Sequence, residues 1–176
     1  MISEKMMELG KKRSVIREIF EYGNKRRQEI GAENVFDFSL GNPSIPAPDV
    51  VKETMLRLIN DKDPVKLHGY TSAQGDLSVR SAIAEDIKDR FGAASGADLI
   101  YMTCGAAASL TISLNALVRD GDEVIVLAPF FPEYRVFAEK AGAKVRVVKC
   151  REEDLQIDFS ALQEKKKKKT KAIIVN

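Results

Sequence analysis

Between Tyr101 and Tyr134 the sequence reads as a strand, a turn of small residues (Thr103-Cys104-Gly105-Ala106-Ala107-Ala108), a long apolar helix and a second strand, followed by Pro129-Phe130-Phe131-Pro132-Glu133-Tyr134. Few folds accommodate that order. A small-residue turn between strand and helix bares the first backbone N–H groups of the helix, which have no carbonyl one turn back to bond to. Together with the helix dipole they form a site for an anion, most simply a phosphate. The second strand runs into a turn rich in aromatic residues. In a parallel sheet, ligands collect beyond the carboxyl ends of the strands. The anion site and an aromatic platform are therefore predicted on one edge of one sheet.

The pattern around this stretch is regular. Strands are predicted over Leu99–Met102, Glu123–Leu127, Lys144–Val148 and Ala172–Val175, and helices over Ala106–Arg119, Glu133–Ala141 and Phe159–Glu164. Gly121-Asp122 and Gly142 mark turns at helix ends. Near-continuous apolar strands alternating with helices predict an α/β fold, with a largely parallel sheet covered on both faces.

The N-terminal third is different in kind. Residues 3–30 carry apolar residues at helical spacing among Lys, Arg and Glu, with Gly10 and Gly23 interrupting and Ser14 placed to cap a helix from Val15. Val35–Leu40 alternates as a short strand does. Gly41-Asn42-Pro43-Ser44-Ile45-Pro46-Ala47-Pro48 is held extended by its prolines. Locally it reads as a linker, although Gly41 also permits close approach of a ligand to the backbone. Two parts are expected: residues 1–47 as an N-terminal helical segment with its Pro-rich linker, and 48–176 as the sheet domain. In the latter, Asp49 is placed to cap a helix through Ile59. Lys66–Gly75 reads as a loop, and a helix follows over Asp76–Phe91 with Leu77, Ile83, Ile87 and Phe91 as its apolar stripe.

Composition narrows function by exclusion. The 28 basic and 26 acidic residues leave a net charge of +2, which gives no case for nucleic acid. Cys104 and Cys150 have no metal-ligand spacing and make no disulfide framework, and Cys104 suits a tight turn as a small residue. His68, the single histidine, builds no triad or metal cluster. Lys165–Lys169 reads as a solvated helix end complementing the dipole there. No apolar run approaches the ~20 residues of a membrane span and no signal peptide is visible, so a cytoplasmic location is expected. The sequence stops at Asn176 directly after an apolar strand, where the next loop of an α/β sheet normally helps build the ligand site. A piece of a longer chain is expected.

Four stretches, in order and with fitting spacing, resemble the N-terminal portion of class I/II aminotransferases, the fold type I pyridoxal-phosphate (PLP) enzymes. They are Gly41-Asn42-Pro43 with its prolines, Tyr70-Thr71-Ser72-Ala73-Gln74-Gly75 with Leu77 and Arg80, Cys104-Gly105-Ala106-Ala107-Ala108, and Pro129-Phe130-Phe131-Pro132-Glu133-Tyr134. The resemblance implies a truncated PLP-transferase large domain preceded by a helical segment of the small domain. It implies that Gly105, Ala106 and Ala107 offer amides to the PLP phosphate, with Ala where the family often has a hydroxyl. It implies that Phe131 stacks on the pyridine ring and Tyr134 lies near it. Tyr70 would reach the phosphate in the neighbouring subunit of a homodimer, and Gly41 would meet the substrate carboxylate, which turns the linker reading around. The lysine that binds PLP covalently is expected beyond Asn176, so no catalytic residue is assigned and the 176 residues alone are expected to be inactive. The implied reaction moves an amino group between an L-amino acid and a 2-oxo acid. A C–S lyase of the same fold, a ligand-sensing regulator domain and a non-catalytic fragment are the alternatives.

Overall fold

Val124, Ile125, Val126 and Leu127 form an unbroken apolar run, which a strand buries fully only when both of its faces are covered. The structure, a computed structural model describing residues 2–11, 14–41 and 43–176, arranges this. It divides into two compact units, Met1–Gly69 and Tyr70–Asn176. In the second unit, β1 (Glu123–Ala128) is the central strand of a three-stranded parallel sheet, flanked by β2 (Lys144–Lys149) and β3 (Thr170–Ile174). Val126 aligns with Val147 on one side and Ile174 on the other. The register with β3 slips by one residue at Lys171, between Glu123 and Val124.

The chain winds both ways from β1. It passes through α7 (Glu133–Lys140) to β2, then through α8 (Phe159–Lys165) across to β3. Right-handed crossovers taken in opposite directions place their helices on opposite faces, and the packing follows. Val124 and Val126 meet Ala138 with half-buried Tyr134 and Phe137 of α7. Ile125, Leu127 and Val148 meet Ala161 and Leu162 of α8. Helix α6 (Gly105–Leu117) lies on the α7 face through Leu114. Val124, Ile125 and Val126 are wholly buried, each such side chain stabilising the fold by about 1.5–3 kcal/mol. This is the α/β sheet expected from the sequence.

The strand predicted over Leu99–Met102 does not form. Ala97–Leu99 is a 3₁₀ turn, and after it Met102 N–H donates to Gln74 O at 3.0 Å in the loop before α5 (Leu77–Phe91). One bond is not a ladder. Within α5, Leu77 and Phe91 stay exposed, while Ala84 and Arg80 are buried beside half-buried Ile83 and Ile87.

The first unit contains α1 (Glu4–Lys11), α2 (Val15–Ile30), α3 (Asp49–Asp61) and α4 (Pro64–His68). Gly10 and Gly23 lie inside α1 and α2 rather than breaking them. Ser14 takes the N-cap position of α2 without a side-chain bond. The strand predicted over Val35–Leu40 is absent. Asp37 instead accepts from Ser39 N–H and Oγ and from Arg27, and those bonds hold its carboxyl below the usual range, Ser39 contributing most. Phe36 and Phe38 on either side stay exposed, with no strand among the described residues to pair against. Pro48, not Asp49, is the residue before α3. His68 ends α4 instead of lying in a loop, because Asp63 caps that turn at the amides of Val65 and Lys66.

Candidate functional site

Helix α6 and β1 are joined by five residues, and Leu114 and Val118 pack on Val124 and Val126. The helix therefore runs back along the strand. Thirteen helical residues span about 20 Å and six strand residues about the same. The first turn of α6 thus reaches the level of the carboxyl end of β1. Gly105 begins the helix at φ +81, a conformation open to glycine, and its N–H donates to Thr103 O at 2.9 Å. The amides of Ala106 and Ala107 follow in the exposed first turn, where no helical carbonyl precedes them. That turn carries no acidic residue. It does carry hydroxyls: Thr103 Oγ1 and Ser109 Oγ lie 2.5 Å apart, and Thr103 Oγ1 donates to Gly105 O at 3.1 Å. The sequence reading looked for a hydroxyl only at the Ala positions and missed this pair on either side of them.

At the end of β1 the chain turns through a cis Ala128–Pro129 bond into Phe130 and Phe131. Phe131 is 45% exposed, enough to offer a ring face. Its other contact is fixed: Tyr134 meets it edge-on, with centroids 5.7 Å apart and planes at 79°. Such a pair contributes about 0.5–1.5 kcal/mol beyond burial. Tyr134 OH in turn donates to Asn176 Oδ1 at 2.9 Å, tying the turn after β1 to the residue beyond β3. Asn176 carried no motif, and only the parallel pairing of β1 with β3 brings it here.

Tyr70 is fully exposed at the start of the loop leading to α5. That loop docks beside the approach to α6. Gly75 has φ +99, and a Cβ on it would stand 2.5 Å from Met102 Cγ and 2.7 Å from Met102 Cβ. Arg80 is 6% exposed, and its guanidinium donates to Gly75 O and Ala97 O. Its position three residues before Ile83, four before Ala84 and seven before Ile87 puts it on the inner face of α5, which is the signal the sequence offered for its burial. Gly41 belongs to the first unit, where a Cβ on it would meet nothing within 4 Å, and Asn42 lies outside the described residues. An open groove of about 680 Å³ between β2 and α8 is lined by Cys150, Arg151, Asp158 and Lys165. It opens on the face away from α6. No group of three or more His, Cys, Asp and Glu residues able to hold a metal occurs among the described residues, and none of their helices is long and apolar enough to cross a membrane.

Residues 33–176 match the sequence model of the family described as aminotransferase class I and II. A solved amino transferase from Eubacterium rectale is 53% identical and superposes with a TM-score of 0.94, covering 99% of this chain and 44% of that one. A probable aspartate aminotransferase of Methanocaldococcus jannaschii is 31% identical over 94% of this chain and 40% of its own length. A (5-formylfuran-3-yl)methyl phosphate transaminase from the same organism is 31% identical over 86% of this chain and 38% of its own. The chain thus spans about 40% of the length of the curated relatives it matches.

Proposed function

Because the chain belongs to the class I and II aminotransferases, we propose that it is the N-terminal portion of a PLP-dependent enzyme moving an amino group between an L-amino acid and a 2-oxo acid. The observation that carries the reading is the acid-free first turn of α6, level with the carboxyl end of β1, together with half-exposed Phe131, which leaves that same end of the strand. A phosphate on an aromatic ring fits that donor set: the first-turn amides for the dianion, a flat ring face for the pyridine. When bound, PLP supplies the electron sink for chemistry at the substrate's α-carbon.

The chain's own contribution is binding and orientation. Ala106 and Ala107 present amides to the phosphate, with Gly105 setting the turn. Phe131 stacks on the ring, and Tyr134, anchored on Asn176, holds Phe131 edge-on and lies near the ring. Tyr70, exposed here, reaches the phosphate of a second subunit in a homodimer, and the Gly41 backbone meets the substrate carboxylate. Residues 1–47 form part of the small domain, 48–176 part of the large one, and the enzyme works in the cytoplasm.

The lysine that binds PLP covalently lies outside residues 1–176. In support, Lys165–Lys169 are exposed, and Lys169 O accepts from the amide of Glu123, the first residue of β1. That is the opposite end of the strand from Phe131, about 20 Å away. The test is borohydride trapping of PLP on the full-length protein with mapping of the labelled peptide, alongside an assay for 2-oxo acid from an L-amino acid and 2-oxoglutarate. The reading expects one labelled lysine beyond Asn176 and consumption of the acceptor. A single label within 1–176 overturns the first part. Keto acid formed with no acceptor consumed overturns transamination in favour of a lyase.

A further inference from the structure

One buried cation joins the motif loop Thr71–Gly75 to the 3₁₀ turn Ala97–Leu99, from which the chain runs on into the turn Thr103–Ala108. Arg80 donates through Nε to Gly75 O at 3.2 Å and through Nη1 to Ala97 O. The same Gly75 carbonyl accepts from exposed Ser72 Oγ at 2.6 Å, and Ala97 O also accepts from Ile100 N–H. The guanidinium therefore spans the loop and the 3₁₀ turn, the two pieces that bracket the extended segment leading to α6. Gly75 then touches Met102, and Met102 N–H bonds Gln74 O. Two residues later the chain reaches Cys104, which precedes α6. Burying the Arg80 guanidinium is costly unless it is hydrogen-bonded, and the carbonyls of Gly75 and Ala97 meet that need from two separate segments.

We propose that Arg80 is a positioning residue for the phosphate end of the site: through Gly75, Ala97 and Met102 it sets where the amides of Ala106 and Ala107 point. This rests on the reading of the α6 turn as a phosphate site. A fork of fixed N–H donors suits two carbonyls on separate segments, and the single ammonium of lysine cannot reproduce it.

The test compares binding of pyridoxamine 5′-phosphate with that of pyridoxamine to the full-length protein by calorimetry. Neither probe has an aldehyde, so neither labels lysines. Wild-type protein is expected to favour the phosphate form by about tenfold or more, the scale of charge-assisted hydrogen bonds. Arg80→Gln and Arg80→Lys should narrow that ratio severalfold and leave pyridoxamine binding unchanged within about twofold. A merely structural arginine would weaken both probes together or neither, and either result overturns the proposal. Ser72→Ala removes the second donor to Gly75 O from an exposed side chain. It should narrow the ratio in smaller measure, so the question stays decidable if an Arg80 variant does not fold. Wild-type protein with no preference for the phosphate form instead sinks the phosphate reading of α6 itself.

Discussion

Gly75 and Leu155 share a left-handed backbone and sit in opposite circumstances. Gly75, at φ +99, has Met102 where a side chain would be, so both backbone and space demand glycine. Gly75→Ala is expected to destabilise by about 2–3 kcal/mol from combined strain and overpacking, read as a lower urea midpoint. Leu155, at φ 56, is an exposed leucine in a conformation that costs L-residues about 1–2 kcal/mol. Its loop holds it there: Leu155 N–H donates to Arg151 O, Arg151 N–H to Gln156 O, and Arg151 pairs with Asp154. Leu155→Gly should therefore stabilise, by about 0.5–1 kcal/mol once the extra freedom of the unfolded glycine is subtracted. An unchanged or lower thermal midpoint would show that the loop tolerates leucine without strain. Gly75 was legible as part of a motif. Leu155 was not, because nothing in a leucine announces a positive φ.

At the scale of elements, legibility follows whether a segment's partner lies nearby in the chain. From Gly105 on, each element is followed by the next after a short connection, with β2 pairing on β1 through one crossover and β3 reaching β1 past β2, and the apolar runs gave every element to within two residues. Leu99–Met102 and Val35–Leu40 have strand-like composition but no ladder to join, and composition cannot supply a partner. Of the caps read from the sequence, Ser14 takes its place without a side-chain bond and Asp49 lies inside α3. Asp76, read as the first residue of its helix, is instead the cap of α5, accepting from Ser78 and Val79 amides, so Asp76→Ala should cost about 1 kcal/mol. The pair between β1 and β2 was not foreseen. Glu123 Oε1 accepts from Arg146 at 2.6 and 3.0 Å, and those bonds, reinforced by nearby Lys144 and Lys169, hold its carboxyl below the usual glutamate range. Its Oε2 is buried without a partner. A lowered folded-state pKa means that the unfolded chain binds the extra proton. This contribution is therefore complete above the ordinary glutamate range and lost as pH falls through the lower folded value. In Arg146→Ala the largest of those interactions is gone while Lys144 and Lys169 remain, so the carboxyl's pKa moves back up toward the ordinary glutamate range. The stability lost through this pair between neutrality and about pH 3 should therefore be smaller in the variant than in the wild type. Urea melts at both pH values decide it.

Across the whole molecule, order is concentrated. Among the described residues of 1–69 only Gly23 is buried, whereas β1 is paired along both edges and covered on both faces. The candidate site uses that rigidity. The α6 turn is placed by packing on Val124 and Val126, Phe131 leaves the end of the same strand, and Asn176 arrives through pairing with β3. Sequence motifs named the residues at this edge but could not supply the strand order that gathers them, since β3 returns to β1 past β2. Local opening costs most where paired backbone and buried side chains coincide. Native-state hydrogen exchange should therefore be slowest at Val124–Leu127, faster in β2 and β3, and fastest in 1–69. Ile125→Ala, which empties a fully buried site on the α8 face, should cost about 2–5 kcal/mol. It should speed exchange throughout the sheet, since β1 holds both neighbours. If β3 amides kept their wild-type rates while β2 accelerated, the sheet would not open as one unit, and Asn176 would be held at Tyr134 independently of β1.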